Sequence, residues 1–112
     1  MRSRLALLLV IAAPAALAAG CSGAGLGKPV TTNEVSLPKS YRFDPTAIVV
    51  KAGTSVTWTN HDNFTHTVKV EDGSDHKLSP GQSVTIRFAK AGTYHYLCTL
   101  HPHDMHGEVV VK

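Results

Sequence analysis

Short runs in which apolar and polar residues alternate fill the chain from Glu34 to its end. A period of two is typical of strands buried on one face, and Pro, Gly, Asp or Asn residues bound each run. The runs are Val35–Leu37, Ile48–Lys51, Val56–Thr59, Val68–Val70, Ser83–Phe88, Tyr94–Leu97 and Val109–Val111. The pattern predicts an all-β domain, a β-sandwich of about seven to eight strands.

The first twenty residues have a different composition. Arg2 and Arg4 are followed by the apolar run 5–11 and then by small residues, which is typical of an export signal. The residues at 18–21, Ala-Ala-Gly-Cys, resemble a bacterial lipobox, so we predict a signal peptide at 1–20 and a lipid-modified Cys21. The alternatives are ordinary signal-peptidase cleavage and an uncleaved anchor helix. Export would place the protein in the periplasm or at the outer face of the cytoplasmic membrane, anchored by its lipid.

Composition then divides the rest of the chain. Residues 21–33 are rich in Gly, Thr and Asn and have no apolar period, which predicts a flexible tether ahead of a domain at 34–112. The net charge of +3 falls to about +1 without Arg2 and Arg4, because nine Lys and Arg then face eight Asp and Glu. No basic cluster remains, which argues against a nucleic-acid partner.

A set of soft metal donors lies just before the last strand. Cys98, His101 and Met105 place a thiol, an imidazole and a thioether on one short loop. Such donors select copper or zinc over hard cations, and two His with one Cys and a weakly bound Met form the blue-copper electron-transfer arrangement. The second imidazole must come from elsewhere in the chain, and the segment Val56–Val68 offers one in His66.

The whole string at Tyr96–Val111, Tyr-x-Cys-x-x-His-Pro-x-x-Met-x-Gly-x-Val-x-Val, is far more specific than a bare C-x-x-H. Together with the earlier His66-Thr67-Val68 it resembles the cupredoxin family of type 1 copper proteins, in particular the plastocyanin and amicyanin branch. The resemblance extends from Val35 to Lys112. It implies a Greek-key cupredoxin sandwich with one copper ion that cycles between Cu(I) and Cu(II).

The resemblance implies four copper ligands, which are His66, Cys98, His101 and Met105. His103 is the rival of His101, and His61 the rival of His66. Three residues separate His101 from Met105, whereas amicyanin-like loops have two and plastocyanin-like loops four. Thr67 stands where the family often has Asn, and its hydroxyl or backbone N–H is expected to support the cysteine loop.

The implied function is electron transfer by a monomer at the cell envelope. Redox partner proteins would dock weakly near His101, where Leu100 and Pro102 contribute apolar surface. A copper held wholly by protein donors has no open position for a substrate, so we predict no enzyme activity. Five histidines remain unassigned: His61, His76, His95, His103 and His106. They favour the alternative, a lipoprotein that binds and delivers copper as cargo; a metal-free interaction module is the weaker third interpretation.

Overall fold

A computed structural model describes residues 26–112 as two β-sheets joined by turns and loops. The strands in this part of the chain are β1 (Val30–Thr31), β2 (Glu34–Leu37), β3 (Ala47–Val50), β4 (Thr54–Asn60), β5 (His66–Val70), β6 (Asp75–Leu78), β7 (Ser83–Phe88), β8 (Gly92–Leu97) and β9 (His106–Val111). Within the same residues, no helix is long and apolar enough to cross a membrane.

The two sheets have six and three strands. The larger has the order β1-β3-β9-β8-β5-β6, and the smaller has the order β2-β4-β7. The chain passes repeatedly from one sheet to the other. Two of the strand pairs are parallel: β2 with β4, and β3 with β9. The prediction of an all-β sandwich is confirmed.

Two strands were missing from the sequence-based prediction. β6 was missed because its residues, Asp-His-Lys-Leu, bury only Leu78 and show no apolar alternation. β1 has two exposed residues, Val30 and Thr31, which the sequence analysis assigned to the tether; the structure pairs them in parallel with β3. The Thr46 hydroxyl also donates a hydrogen bond to the Leu26 carbonyl over 2.9 Å. The body therefore begins ahead of Glu34, whereas the predicted signal peptide and Cys21 lie outside the described residues.

The core lies between the sheets and is centred on aromatic rings. Trp58, Phe43 and Phe88 are buried there, while Ile86 is only partly buried. The Tyr96 ring centroid lies 4.7 Å from that of Phe43 and 5.2 Å from that of Trp58. These contacts fill the space behind the end of β8, from which the metal-donor loop leaves.

Strand order brings the predicted donors together. β8 and β9 are antiparallel neighbours, so the residues between them, 98–105, form the loop of a hairpin. β5 pairs with β8 on its other side, where Lys69 lies opposite Leu97. This register brings the first residues of β5, which include His66, alongside Cys98 and Thr99 just after the end of β8.

Candidate metal centre

Cys98 and His66 form the buried part of the centre. Both are 0% exposed, and Cys98 Sγ lies 3.9 Å from His66 Nδ1. The backbone N–H of Thr67 donates to Cys98 Sγ over 3.3 Å. A donor directed at sulfur stabilises the thiolate, which is the form that binds a metal. The arrangement thus suits a metal–thiolate bond with the Nδ1 of His66 beside it.

Backbone hydrogen bonds fold the donor loop into a closed turn. The N–H of His101 donates to the Cys98 carbonyl over 3.2 Å, and the N–H of Met105 donates to the His101 carbonyl over 3.0 Å. The N–H of Cys98 donates to the Met105 carbonyl over 3.1 Å. The loop thereby ties all three of its donors together, with the Met105 side chain fully buried.

His101 lies at the surface end of the centre. Its ring is partly exposed and its centroid is 5.5 Å from that of His66. The Tyr41 and His101 rings pack edge to face at a centroid distance of 4.6 Å. Tyr41 has a φ of 51°, in the left-handed region that residues other than glycine rarely adopt, so the surrounding structure must hold it there.

Asp62 fixes the orientation of the His66 ring. Its Oδ2 lies 2.8 Å from His66 Nε2, and Asp62 is only 6% exposed. The hydrogen bond from His66 lowers the pKa of the Asp62 carboxyl below its usual value, against the opposing effect of burial. With Nε2 donating to the carboxylate, Nδ1 keeps its lone pair on the side that faces Cys98.

Asn60 holds the loop that carries Asp62. Its buried side-chain amide donates to the carbonyls of Phe64 and Leu78 over 2.8 and 3.0 Å. Its Oδ1 accepts the Asp62 N–H over 2.9 Å. Sequence analysis missed Asp62, although an acidic residue four positions before His66 was a visible signal.

No three His, Cys, Asp or Glu side chains in residues 26–112 stand in a geometry that would hold a metal ion. Three of the four predicted donors, His66, Cys98 and His101, are of these residue types, so they do not stand in a closed metal-binding geometry here; the fourth donor is the Met105 thioether. A buried free thiol that accepts an N–H, beside an imidazole with a fixed tautomer, fits a soft metal such as copper.

The rival histidines lie apart from this buried pair. His61 and His103 are exposed, whereas His66 is buried and the His101 ring faces it. The exposed His95 has its Nδ1 3.8 Å from Glu108 Oε2. His106 is likewise exposed and His76 is half-buried.

Comparisons with known proteins agree with this fold. The cupredoxin-like domain family matches residues 5–111. Amicyanin-alpha of Methylorubrum extorquens is 37% identical over 114 residues, covering 96% of this chain and 94% of that protein. Plastocyanin of Tetradesmus obliquus is 31% identical over 118 residues, covering 87% and 80% of the two chains. The structure of a purple cupredoxin from Nitrosopumilus maritimus superposes with a TM-score of 0.65 at 25% identity, covering 72% of this chain and 100% of that one.

A β-sandwich with a thiol, imidazoles and a thioether at one end is typical of small metal-binding β-sandwich proteins. The chain belongs to the cupredoxin-like family. This confirms the family that the sequence resembles, and the predicted cofactor, one copper ion, is the one that this family binds.

Proposed function

We propose that this protein is a type 1 copper protein that carries electrons at the cell envelope, with His66, Cys98, His101 and Met105 as the copper ligands. The observation that carries the proposal is the buried contact between Cys98 Sγ and His66 Nδ1, with the Thr67 N–H directed at the sulfur. Bound copper supplies the one-electron redox change. The protein orients the donors, excludes water from Cys98 and holds the His66 tautomer through Asp62.

An apolar surface around His101 suits weak docking of a redox partner. Phe64 is 59% exposed, Leu100 54% and Tyr41 43%. The Tyr41 ring stacks beside Phe64 at a centroid distance of 6.4 Å and touches His101. Sequence analysis expected Leu100 and Pro102 at this surface, and the structure adds the two aromatic rings. Brief contact through a small apolar patch is typical of electron-transfer complexes.

The proposal includes a lipid anchor on Cys21 and an envelope location, which the lipobox-like residues support. Mass analysis of the protein isolated from membranes of cells that express the full chain tests it. A diacylglycerol-modified Cys21 at the amino terminus is the expected result. An unmodified amino terminus would refute the anchor without affecting the copper proposal.

The electron-carrier function is tested by adding one equivalent of Cu(II) to the isolated protein. An intense visible sulfur-to-copper band and a narrow copper hyperfine splitting in the EPR spectrum are expected, and Cys98→Ser should abolish both. A pale protein with ordinary histidine-type copper signals would refute a type 1 site. The cargo-delivery alternative would then be favoured, with capture by exposed histidines such as His61, His95 and His103.

A further inference from the structure

A chain of three side chains connects the surface to the sulfur of Cys98. The Thr99 hydroxyl donates to Asp75 Oδ2 over 2.9 Å. Thr99 Oγ1 also lies 2.8 Å from Thr67 Oγ1, and Thr67 Oγ1 lies 3.7 Å from Cys98 Sγ. Asp75 is exposed at the start of β6, whereas Thr67 and Cys98 are buried. The family resemblance gave Thr67 a supporting role, but it assigned nothing to Asp75.

The order of the donors follows from counting protons. A carboxylate only accepts hydrogen bonds, and a hydroxyl has a single proton to donate. Asp75 therefore takes the proton of Thr99, so the short contact between the two threonines has Thr67 as its donor. Thr67 Oγ1 also accepts a hydrogen bond from the Thr99 N–H over 2.7 Å, and this bond fixes the orientation of the Thr67 hydroxyl group.

This order leaves no hydroxyl proton for the sulfur. The Thr67 hydroxyl has two acceptors within reach, Thr99 Oγ1 at 2.8 Å and Cys98 Sγ at 3.7 Å. The shorter bond to oxygen takes its one proton, because Asp75 keeps Thr99 Oγ1 free to accept. Cys98 Sγ then receives only the backbone N–H of Thr67.

We propose that Asp75 is a positioning residue for electron transfer, which acts through Thr99 and Thr67 to keep a second hydrogen bond off the Cys98 sulfur. The inference rests on the proposed copper site. Hydrogen bonds to the cysteine sulfur tune the potential of such a site. A second donor would draw electron density from the thiolate, weaken its donation to Cu(II) and so favour Cu(I). Asp75 therefore holds the reduction potential down.

Thr99→Val tests the chain without changing the charge. Valine has nearly the same shape but cannot accept the Thr67 proton, so that hydroxyl turns to Cys98 Sγ. We expect the equilibrium to shift about tenfold towards Cu(I), which raises the potential by about 59 mV for a one-electron couple. The sulfur-to-copper band should move to shorter wavelength because the sulfur orbitals are stabilised. An unchanged potential and band would overturn the proposal.

Asp75→Asn tests the carboxylate itself, and its lost charge is controlled by repeating the change in a Thr67→Val background. The asparagine amide can donate to Thr99 Oγ1, which reverses the order of the donors. We expect a rise in potential that is clearly larger with Thr67 than with valine at that position. Equal rises in both backgrounds would show that Asp75 acts by charge alone, which would refute the inference.

NMR of the metal-free protein separates this inference from the copper proposal. In the wild-type chain, the Thr67 hydroxyl proton should show its strongest contact with the Thr99 side chain. In Thr99→Val, that proton should instead contact the Cys98 β-protons. A hydroxyl already directed at Cys98 in the wild type would overturn the inference even if the copper spectrum is of type 1. A failed copper spectrum with the expected NMR contacts would count against the copper site alone.

Discussion

Among the glycines of residues 26–112, Gly107 is the one where an added methyl group should be least tolerated. A Cβ built there would lie 2.3 Å from Cζ, 2.4 Å from Oη and 2.7 Å from Cε2 of Tyr96. Real Cβ atoms almost never approach another heavy atom within 3.0 Å. Gly107→Ala therefore requires either the ring or strand β9 to move.

The Tyr96 ring has little room to give way. It is 2% exposed and packs between Phe43 and Trp58. Overpacking a filled core typically costs 1–3 kcal/mol, and we expect the upper end, about 3 kcal/mol, because a buried ring is displaced. For a domain of 60–100 residues this lowers the melting temperature by about 12–24 °C.

The assay is urea unfolding of the metal-free protein, followed by the fluorescence of Trp58, which is the only tryptophan. Metal is left out because its binding would add to the stability. Gly81→Ala is the matched control: Gly81 has a φ of 85° but no heavy atom within 4 Å of an added Cβ, so it reports backbone strain alone. If Gly107→Ala is no less stable than Gly81→Ala, the packing argument is wrong. Tyr96→Leu should partly rescue Gly107→Ala by removing the clash.

Two further predictions concern buried polar groups. Asp62→Ala should weaken Cu(I) binding about 10- to 100-fold, measured by competition with a chelator, because His66 loses the acceptor that fixes its tautomer; unchanged affinity would refute that role. Burial raises the pKa of Tyr96 well above its ordinary 10.0. The stability this provides is fully present below about pH 10 and is lost at higher pH, because the unfolded chain ionises first. Tyr96→Phe should therefore lose less stability than the wild type between pH 9 and 11 in urea titrations; equal losses would contradict the argument.

The fold was predictable where burial imposes alternation. β4 places Val56, Trp58 and Asn60 on the buried face, so its period of two is plain in the sequence. β6 lies at the edge of the larger sheet and buries only Leu78, so burial leaves no such pattern. β1 is two exposed residues held by pairing with β3, which no local property of Val30 and Thr31 indicates.

The candidate site shows the same division. The predicted loop donors could be read from the sequence because Cys98, His101 and Met105 lie within eight residues, and His66 was proposed as the fourth through the family resemblance. Tyr41 was not predicted as part of the site, because its contact with His101 depends on a left-handed backbone conformation that is unusual for tyrosine. The link from Asp75 to Thr67 was hidden for a different reason. It exists only once β5 and β6 pair, and neither residue type indicates a metal site on its own.

The direction of β1 limits how far the predicted metal donors can lie from Cys21. β1 runs parallel to β3, which runs parallel to β9, and β9 starts directly after the donor loop. The chain thus enters the body at the end that carries the donors. Only four residues lie between Cys21 and Leu26, so the five steps from one to the other span at most about 18 Å when fully extended. With lipid on Cys21, this short connection would hold the end of the body that carries the predicted donors close to the bilayer. A redox partner in the same membrane would then be nearer to that end than a partner that diffuses freely.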